Sequence, residues 1–458
     1  MNLFQLVIKQ MRQRALSTWL TLLSVMLGVG LAVAIMILYR AGNDLFVQSD
    51  FGYDIIMGPP KGSPLQLVLN TVYGLDQPPG NMPYSVYENL LKNPRQVRIA
   101  VPITVGDSYK NLRIIGTLPK MFGFDDQGQK LPEEKQFEYR LGKHYEMAEG
   151  RVFHPEKFEA VIGSDVGART GLKIGSTFRA THGMPGPNET PDIHEQDWTV
   201  VGILAPTHTA ADRVLYIPII SNFAISEHEK GMAEQADLRS KLSGATAPVH
   251  AHHDYGEEAA AYKLRPDGTI DLTLPKDEWL LSAVLVKSRN ATLNLMYQYK
   301  VIDPSAVAVN PATTMREFFD TFFKSTTLVL LMIAILVSIV AAVGILVSIY
   351  NSVSARMREI AILRALGATR VRILALICVE AGLIGAVGGL LGLIAGHLVA
   401  ASGSAYMNKL LGQSIRWGST DRFELLYFAG VVLIAVVAGL VPALKAYRTP
   451  VATNLVAV

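Results

Sequence analysis

The chain has 458 residues, half of them hydrophobic and 18% charged, with a mean hydropathy of +0.27. This is too apolar for an ordinary water-soluble protein and too charged for one embedded wholly in lipid, so the composition predicts a chain split between two environments. The formal net charge of +3 gives no reason to expect nucleic acid as a partner.

Residues 1–16 form a short basic segment with Lys9, Arg12 and Arg14. The apolar run that follows, from Ser17 to Leu38, is long enough to cross a membrane, which takes about 20 apolar residues, and residues 17–39 are assigned as the first span. The alternative is a cleaved leader, with Ala32-Val-Ala34 as an A-x-A-like site. A leader's apolar core is only ~7–15 residues, and here the site falls inside the run, so a retained span is expected.

Residues 40–312 are polar enough to fold in water and read as a mixed α/β domain. Gln96 to Val105, Leu112 to Leu118, Glu159 to Ile162, Thr199 to Leu204, Val214 to Ile217 and Trp279 to Lys287 carry the β-branched and aromatic residues of strands. Tyr84 to Asn93 predicts a helix with Ser85 as its N-cap, and Asp165 to Leu172 a shorter one stopped near Gly171. Ala291 to Lys300 predicts another. Residues 227 to 272 are charged, alanine-rich and without apolar periodicity, so they read as a helical or flexible insertion, around which a second subregion of the domain is expected. Within it His250, His252 and His253 precede Asp254, Glu257 and Glu258. Imidazole with carboxylate suits Zn(II), but the tract lacks the spacing of a structural site, and a solvated loop is the plainer reading. The only cysteine, Cys378, lies in a later apolar run. This domain therefore holds no disulfide and relies on a packed core.

Met315 to Lys324 places Phe318, Phe319, Phe322 and Phe323 on one face of a helix, read as a stalk or an interfacial aromatic anchor. With the run from Thr326 to Val353 it forms the stalk and second span, residues 313–353. Residues 354–372 are a basic loop with Arg356, Arg358, Arg364, Arg370 and Arg372 against one acid, Glu359. A short amphipathic helix is expected here, with Ile360, Leu363 and Leu366 near one face and Gly367 as its stop. Such a helix can lie on a membrane surface or enter a groove on a partner, and the pattern alone supports both.

The third span, 373–401, contains Glu380 about two turns in, and Gly382, Gly385, Gly388, Gly389, Gly392 and Gly396. An intramembrane carboxylate is costly and needs a partner inside the bundle. Spacings such as Gly385/Gly389 let helices approach closely, and tight packing is the expected use. A loop over 402–424 mixes both signs of charge, the fourth span covers 425–444, and the tail 445–458 carries Lys445 and Arg448. The three basic segments lie on one side by the positive-inside rule, which puts both termini in the cytoplasm and the large domain outside.

The string Arg356-Met-Arg-Glu-Ile-Ala-Ile-Leu-Arg-Ala-Leu-Gly-Ala-Thr369, with Glu380 following, closely resembles the permease signature of the MacB/LolC-LolE/FtsX superfamily of ABC transporters. Glu159-Ala-Val-Ile-Gly163, Gly171-Leu-Lys-Ile-Gly175 and Asp212-Arg-Val-Leu-Tyr-Ile-Pro218 resemble the family's outer domain. Gly58-Pro-Pro-Lys-Gly-Ser-Pro64 and the insertion after Glu227 depart from it. The resemblance implies a four-helix membrane protein of a bacterial inner membrane, with an α/β periplasmic domain inserted between helices 1 and 2. It implies a cytoplasmic ABC ATPase dimer as partner, docked on Arg356, Glu359, Ile360, Leu363, Arg364 and Gly367. It also implies a second permease copy forming a homodimer, and cargo handled outside, such as a lipoprotein, peptide or small molecule, with a periplasmic adaptor or substrate protein as further partner. No G-x-x-x-x-G-K-[ST] phosphate loop occurs, so this chain is expected to bind no cofactor itself, with ATP and Mg held by the ATPase. Alternatives of another class are an FtsX-like regulator of a cell-wall hydrolase and a zinc-linked or metal-binding membrane protein.

Overall fold

The computed structural model describes residues 8–9, 11–12, 14–46, 50–184, 193–225, 262–411, 418 and 421–448. His250, His252 and His253 lie outside the described residues. The chain divides into two units: one holds the helices on either side of the inserted domain, the other holds that domain.

The first unit contains α1 (Ala15–Phe46), α2 (Ser325–Ala355), the short α3 (Met357–Ala365), α4 (Arg370–Leu411) and α5 (Arg422–Arg448). Among the described residues four helices are long and apolar enough to cross a membrane, α3 being the exception. α4 outlasts its apolar run and stays helical to Leu411. Helical geometry is set by the hydrogen-bond ladder, so a helix need not stop where its residues cease to be apolar. The turns Pro311–Phe318 and Phe319–Lys324 precede α2, and the second is π-type. Part of the expected phenylalanine stripe is kept, with the Phe319 and Phe323 rings stacked at 5.0 Å between centroids. Phe319 is fully buried and packs on Tyr39, with ring centroids 5.3 Å apart, whereas Phe322 is exposed.

Tight helix packing comes from glycine. A Cβ at Gly388, Gly392 or Gly396 would fall 2.6–2.8 Å from Val25, Val29 and Val33 of α1. On another face of α4, a Cβ at Gly385 or Gly389 would run into Ala435 and Phe428 of α5. The small-residue rows of α4 are thus the seats of two neighbours, the packing role expected for them.

The second unit is built on one ten-stranded sheet. Its strands are β1 (Ile55–Gly58), β2 (Val97–Tyr109), β3 (Leu112–Thr117), β4 (Met147–Gly150), β5 (Glu159–Ile162), β6 (Thr177–His182), β7 (Ile193–Leu204), β8 (Leu215–Pro218), β9 (Ala283–Ser288) and β10 (Val307–Val309). The spatial order is β10-β1-β9-β2-β3-β8-β5-β7-β4, and β6 pairs with both β7 and β2. The β3/β8 and β5/β7 pairs are parallel and the others antiparallel. The long β2 joins the halves, pairing with β9 along Val97–Ile103 and with β3 from Thr104 onward.

Among the described residues the unit has two apolar clusters; most of the insertion around which a second subregion is expected, residues 226–261, lies outside the described residues. One cluster joins early and late chain, with Ile55, Met57, Tyr87 and Leu90 packed with Trp279, Leu281 and Val286. The other collects Ile114, Ile162, Phe178, Trp198 and Leu215. The described end of the insertion forms a hairpin, Tyr262–Leu264 with Ile270–Leu272. The helix near residue 84 begins at Ser85 itself, with Tyr84 in the cap position and no side-chain cap, so Ser85 is not the N-cap. Gly171, at φ +83°, closes Val166–Thr170 as expected.

The family-like strings are explained by packing. A Cβ on Gly163 would collide with the backbone at Ala211 and Asp212, so only glycine fits. Asp212 accepts hydrogen bonds from the Thr207 N–H and hydroxyl, each at 2.8 Å, and from the His208 N–H at 2.7 Å. Those bonds hold the loop that leads into β8.

Candidate functional site

The short helix α3 begins just after α2 ends and stops at Gly367, whose φ of +99° suits glycine. One side of α3 packs into the bundle. Ala361 is buried, and Met357, Ile360 and Leu363 rest against the cluster that includes Val353, Ile373 and Ile377. The other side is open, with Arg358, Glu359, Ile362 and Leu366 exposed, Leu366 at 81%. Of the six residues expected to meet an ATPase, Glu359 and Gly367 are therefore exposed, Ile360, Leu363 and Arg364 are half-buried, and Arg356 is half-buried with its charge turned inward.

Arg356 ends α2 and turns back on it. Its Nε donates to the Ser352 carbonyl at 3.3 Å, and its Nη2 donates to the Ser352 hydroxyl and to Glu380 Oε2, the latter at 3.5 Å. The two charged side chains are 13% and 9% exposed. The intramembrane carboxylate, expected to need a partner inside the bundle, meets the first arginine of the loop, and the pair ties the end of α2 to the first turns of α4. A buried pair contributes little net stability, but losing one member leaves an uncompensated charge.

Neighbouring contacts gather the basic residues at this same end. Ser17 and Ser348 hydroxyls lie 2.9 Å apart, joining the start of α1 to α2. Lys445 contacts Tyr350, with its ammonium 4.1 Å from the ring centroid, and Arg370 sits 5.5 Å from the ring centroid of Tyr447. Such cation–π contacts hold long cationic side chains at a helix end.

A second polar set, not anticipated from the sequence, lies at the other end of the bundle. His397 Nε2 and Glu424 Oε2 are 3.1 Å apart, with Glu424 1% exposed, and Arg40 pairs with Asp421. Both carboxylates come from the stretch read as a mixed-charge loop. Nothing in their spacing announced the partners, which stand on α1 and α4.

In the sheet-rich unit a cavity of about 90 Å³ is lined by residues including Tyr53, Arg113, Phe137, Tyr145 and Tyr216. Pockets for drug-sized ligands run to about 300–1,000 Å³, and this one is well below that size. Asp107, His182 and His194 also converge in this unit, a grouping that sequence reading missed.

Two family models match the chain. The model of the MacB-like periplasmic core domain covers residues 18–241, and that of the FtsX-like permease C-terminal region covers residues 331–451. Among curated proteins, the macrolide export ATP-binding/permease protein MacB of Agrobacterium fabrum is 32% identical over 137 residues, 30% of this chain and 20% of that protein. An uncharacterized ABC transporter permease of Methanocaldococcus jannaschii is 42% identical over 72 residues, 16% of this chain and 18% of that protein. The matched segments thus span about a fifth of each relative's length.

Proposed function

Because this chain belongs to the MacB/FtsX-like superfamily of ABC transporter permeases, we propose that it is the membrane subunit through which a separate ABC ATPase moves a periplasmic domain. Membership of this superfamily implies an ABC ATPase as partner. The observation that carries the reading is α3: a short helix between two spans, seated on the bundle by one face, with Arg358, Glu359, Ile362 and Leu366 open on the other. Apolar anchors flanked by charges on one helix face are what a groove on a partner recognises. A push on α3 reaches α2 and α4 directly, because Arg356 and Glu380 bridge them beside it.

In this reading α3 faces the cytoplasm, the bundle sits in the inner membrane of a bacterium with both termini inside, and ATP and Mg²⁺ reside on the ATPase. Two copies of the chain act together, and the work is mechanical, applied to a lipoprotein, peptide or small molecule outside. Glu359 and Leu366 are the docking contacts, while Ile360 and Leu363 seat the helix and Arg356 relays its motion.

Co-expression with an ATPase encoded beside this chain, followed by hydrolysis assays in nanodiscs, tests the proposal. A stable complex is expected, with hydrolysis that depends on this chain. Glu359→Lys should reduce that hydrolysis to the level of the ATPase alone, while membrane insertion is unchanged. Full coupling in the variant would remove α3 from the docking site.

A further inference from the structure

We propose that Asp107, His182 and His194 form a binding site for a divalent first-row transition ion, with Zn²⁺ the best match. Sheet register assembles the set. Asp107 on β2 stands directly opposite His182 on β6, and Ile193 on β7 pairs with Thr181, which brings His194 alongside. Asp107 Oδ1 lies 3.3 Å from His194 Nε2 and 3.6 Å from His182 Nδ1, and the three donor atoms all fall within 4.8 Å of one another.

These separations suit a metal-free and a metal-bound state alike. An N–H···O hydrogen bond between histidine and carboxylate closes to about 2.9 Å. Two donors on one tetrahedral zinc, each about 2.0–2.1 Å from the metal, stand about 3.3 Å apart. The 3.3 Å contact is itself a hydrogen bond, and both His–Asp separations are also close to the spacing of two donors on one ion. Two imidazoles with one carboxylate also form a donor set that first-row ions accept, and a tetrahedral ion keeps its fourth position open.

Burial adds a second argument. The Asp107 side chain is fully buried and that of His194 is 3% exposed, whereas His182 is 46% exposed and is the member that solvent reaches. An ion on Oδ1 would add positive charge beside this buried, already hydrogen-bonded carboxylate. Asn222 Nδ2 donates to the other oxygen, Asp107 Oδ2, at 3.4 Å, holding the carboxylate so that Oδ1 points toward the two rings. Outer contacts of this kind orient metal ligands. The ion would clamp the β6–β7 hairpin onto β2. This inference does not depend on the permease reading.

The test uses the full chain in detergent, stripped with chelator, with His250, His252 and His253 all replaced by alanine so that their tract contributes nothing. Zn²⁺ is titrated against a chromophoric competitor, and bound zinc is counted after dialysis. One tight site per chain is expected, and Zn²⁺ should raise the unfolding temperature of the domain. His182→Ala, at a half-exposed position where folding is least disturbed, should weaken Zn²⁺ binding at least tenfold and abolish the thermal shift, leaving the metal-free unfolding temperature unchanged. Asn222→Ala should weaken binding by about tenfold or more, as for other outer contacts. Absence of a tight site in this background overturns the proposal, as does a site that survives His182→Ala.

Discussion

The helical bundle and the sheet-rich unit both use glycine where chains pass closest, but they stabilise themselves differently. In the bundle Gly388, Gly392 and Gly396 form a row along α4 that lets α1 approach, because apolar side chains gain nothing by leaving lipid for one another. In the sheet-rich unit glycine acts singly, as at Gly163, while large side chains such as Trp198, Tyr216 and Ile162 fill the interior. There, removal of apolar surface from water is the driving force. Polar groups diverge in the same way. Asp212 and Asp54 are spent on backbone N–H groups and hydroxyls next to them in the chain or sheet. In the bundle, Glu380 and Glu424 instead meet partners on other helices, one at each end.

The difference predicts where substitutions hurt. Gly392→Leu should have the largest effect, because the new side chain would occupy the place of Val29 and the Met26 carbonyl. The α1–α4 contact is then lost, and size-exclusion chromatography in mild detergent should show aggregate instead of a single peak. Arg356→Leu should come next. It leaves Glu380 buried without its guanidinium, at a cost of about 3–5 kcal/mol. The double change Arg356→Leu with Glu380→Leu should restore much of the loss, and a thermal-shift series over the four combinations measures the coupling. A stability for the double variant no better than for the single one would mean that the pair is not the bridge between α2 and α4.

Gly163→Ala should destabilise the sheet-rich unit by about 3 kcal/mol, at the upper end for overpacking because backbone must move. Chemical unfolding followed by tryptophan fluorescence would report it, since Trp198 sits in the adjacent core. The mildest effect is alkaline. Burial, then the charges of Glu88 and Asp126, push the Tyr84 phenol up to about 12, and burial raises Tyr53, Tyr87 and Tyr216 further. An unfolded phenol loses its proton near pH 10. The stabilisation is therefore complete below about pH 10 and fades as the pH climbs through the folded-state values. A melting temperature that falls between about pH 10 and 12 is expected for the sheet-rich unit, whereas the buried glycine rows of α4 contain nothing that titrates.

The spans were legible because twenty apolar residues have few other uses, and α3 because an amphipathic stretch ending in Gly367 reads locally. What Arg356 does was not legible. Its charge reads as part of the basic loop, and only the turn at the end of α2 swings it toward Glu380, 24 residues on. The Asp107, His182 and His194 set was hidden for a similar reason. Its members lie 75 and 87 residues from Asp107 in no recognisable spacing, and strand register alone unites them. The histidines that do stand together, at 250, 252 and 253, drew the metal reading instead. Proximity in sequence is a poor guide to donors mounted on different strands.

The pairing of β1 with β10 has a mechanical consequence. The two strands are antiparallel, with Ile56 opposite Val309 and Gly58 opposite Val307. The chain reaches the start of β1 from Phe51, itself bridged to Arg140, and runs from the end of β10 to the buried Pro311, so both connections join the same end of this ladder. A force that pulled the two connections apart would meet the Phe51–Arg140 bridge and the seated Pro311 first, and only then load the ladder like a zipper, from its outermost hydrogen bond inward. A displacement that moved both connections together would leave every rung unstressed.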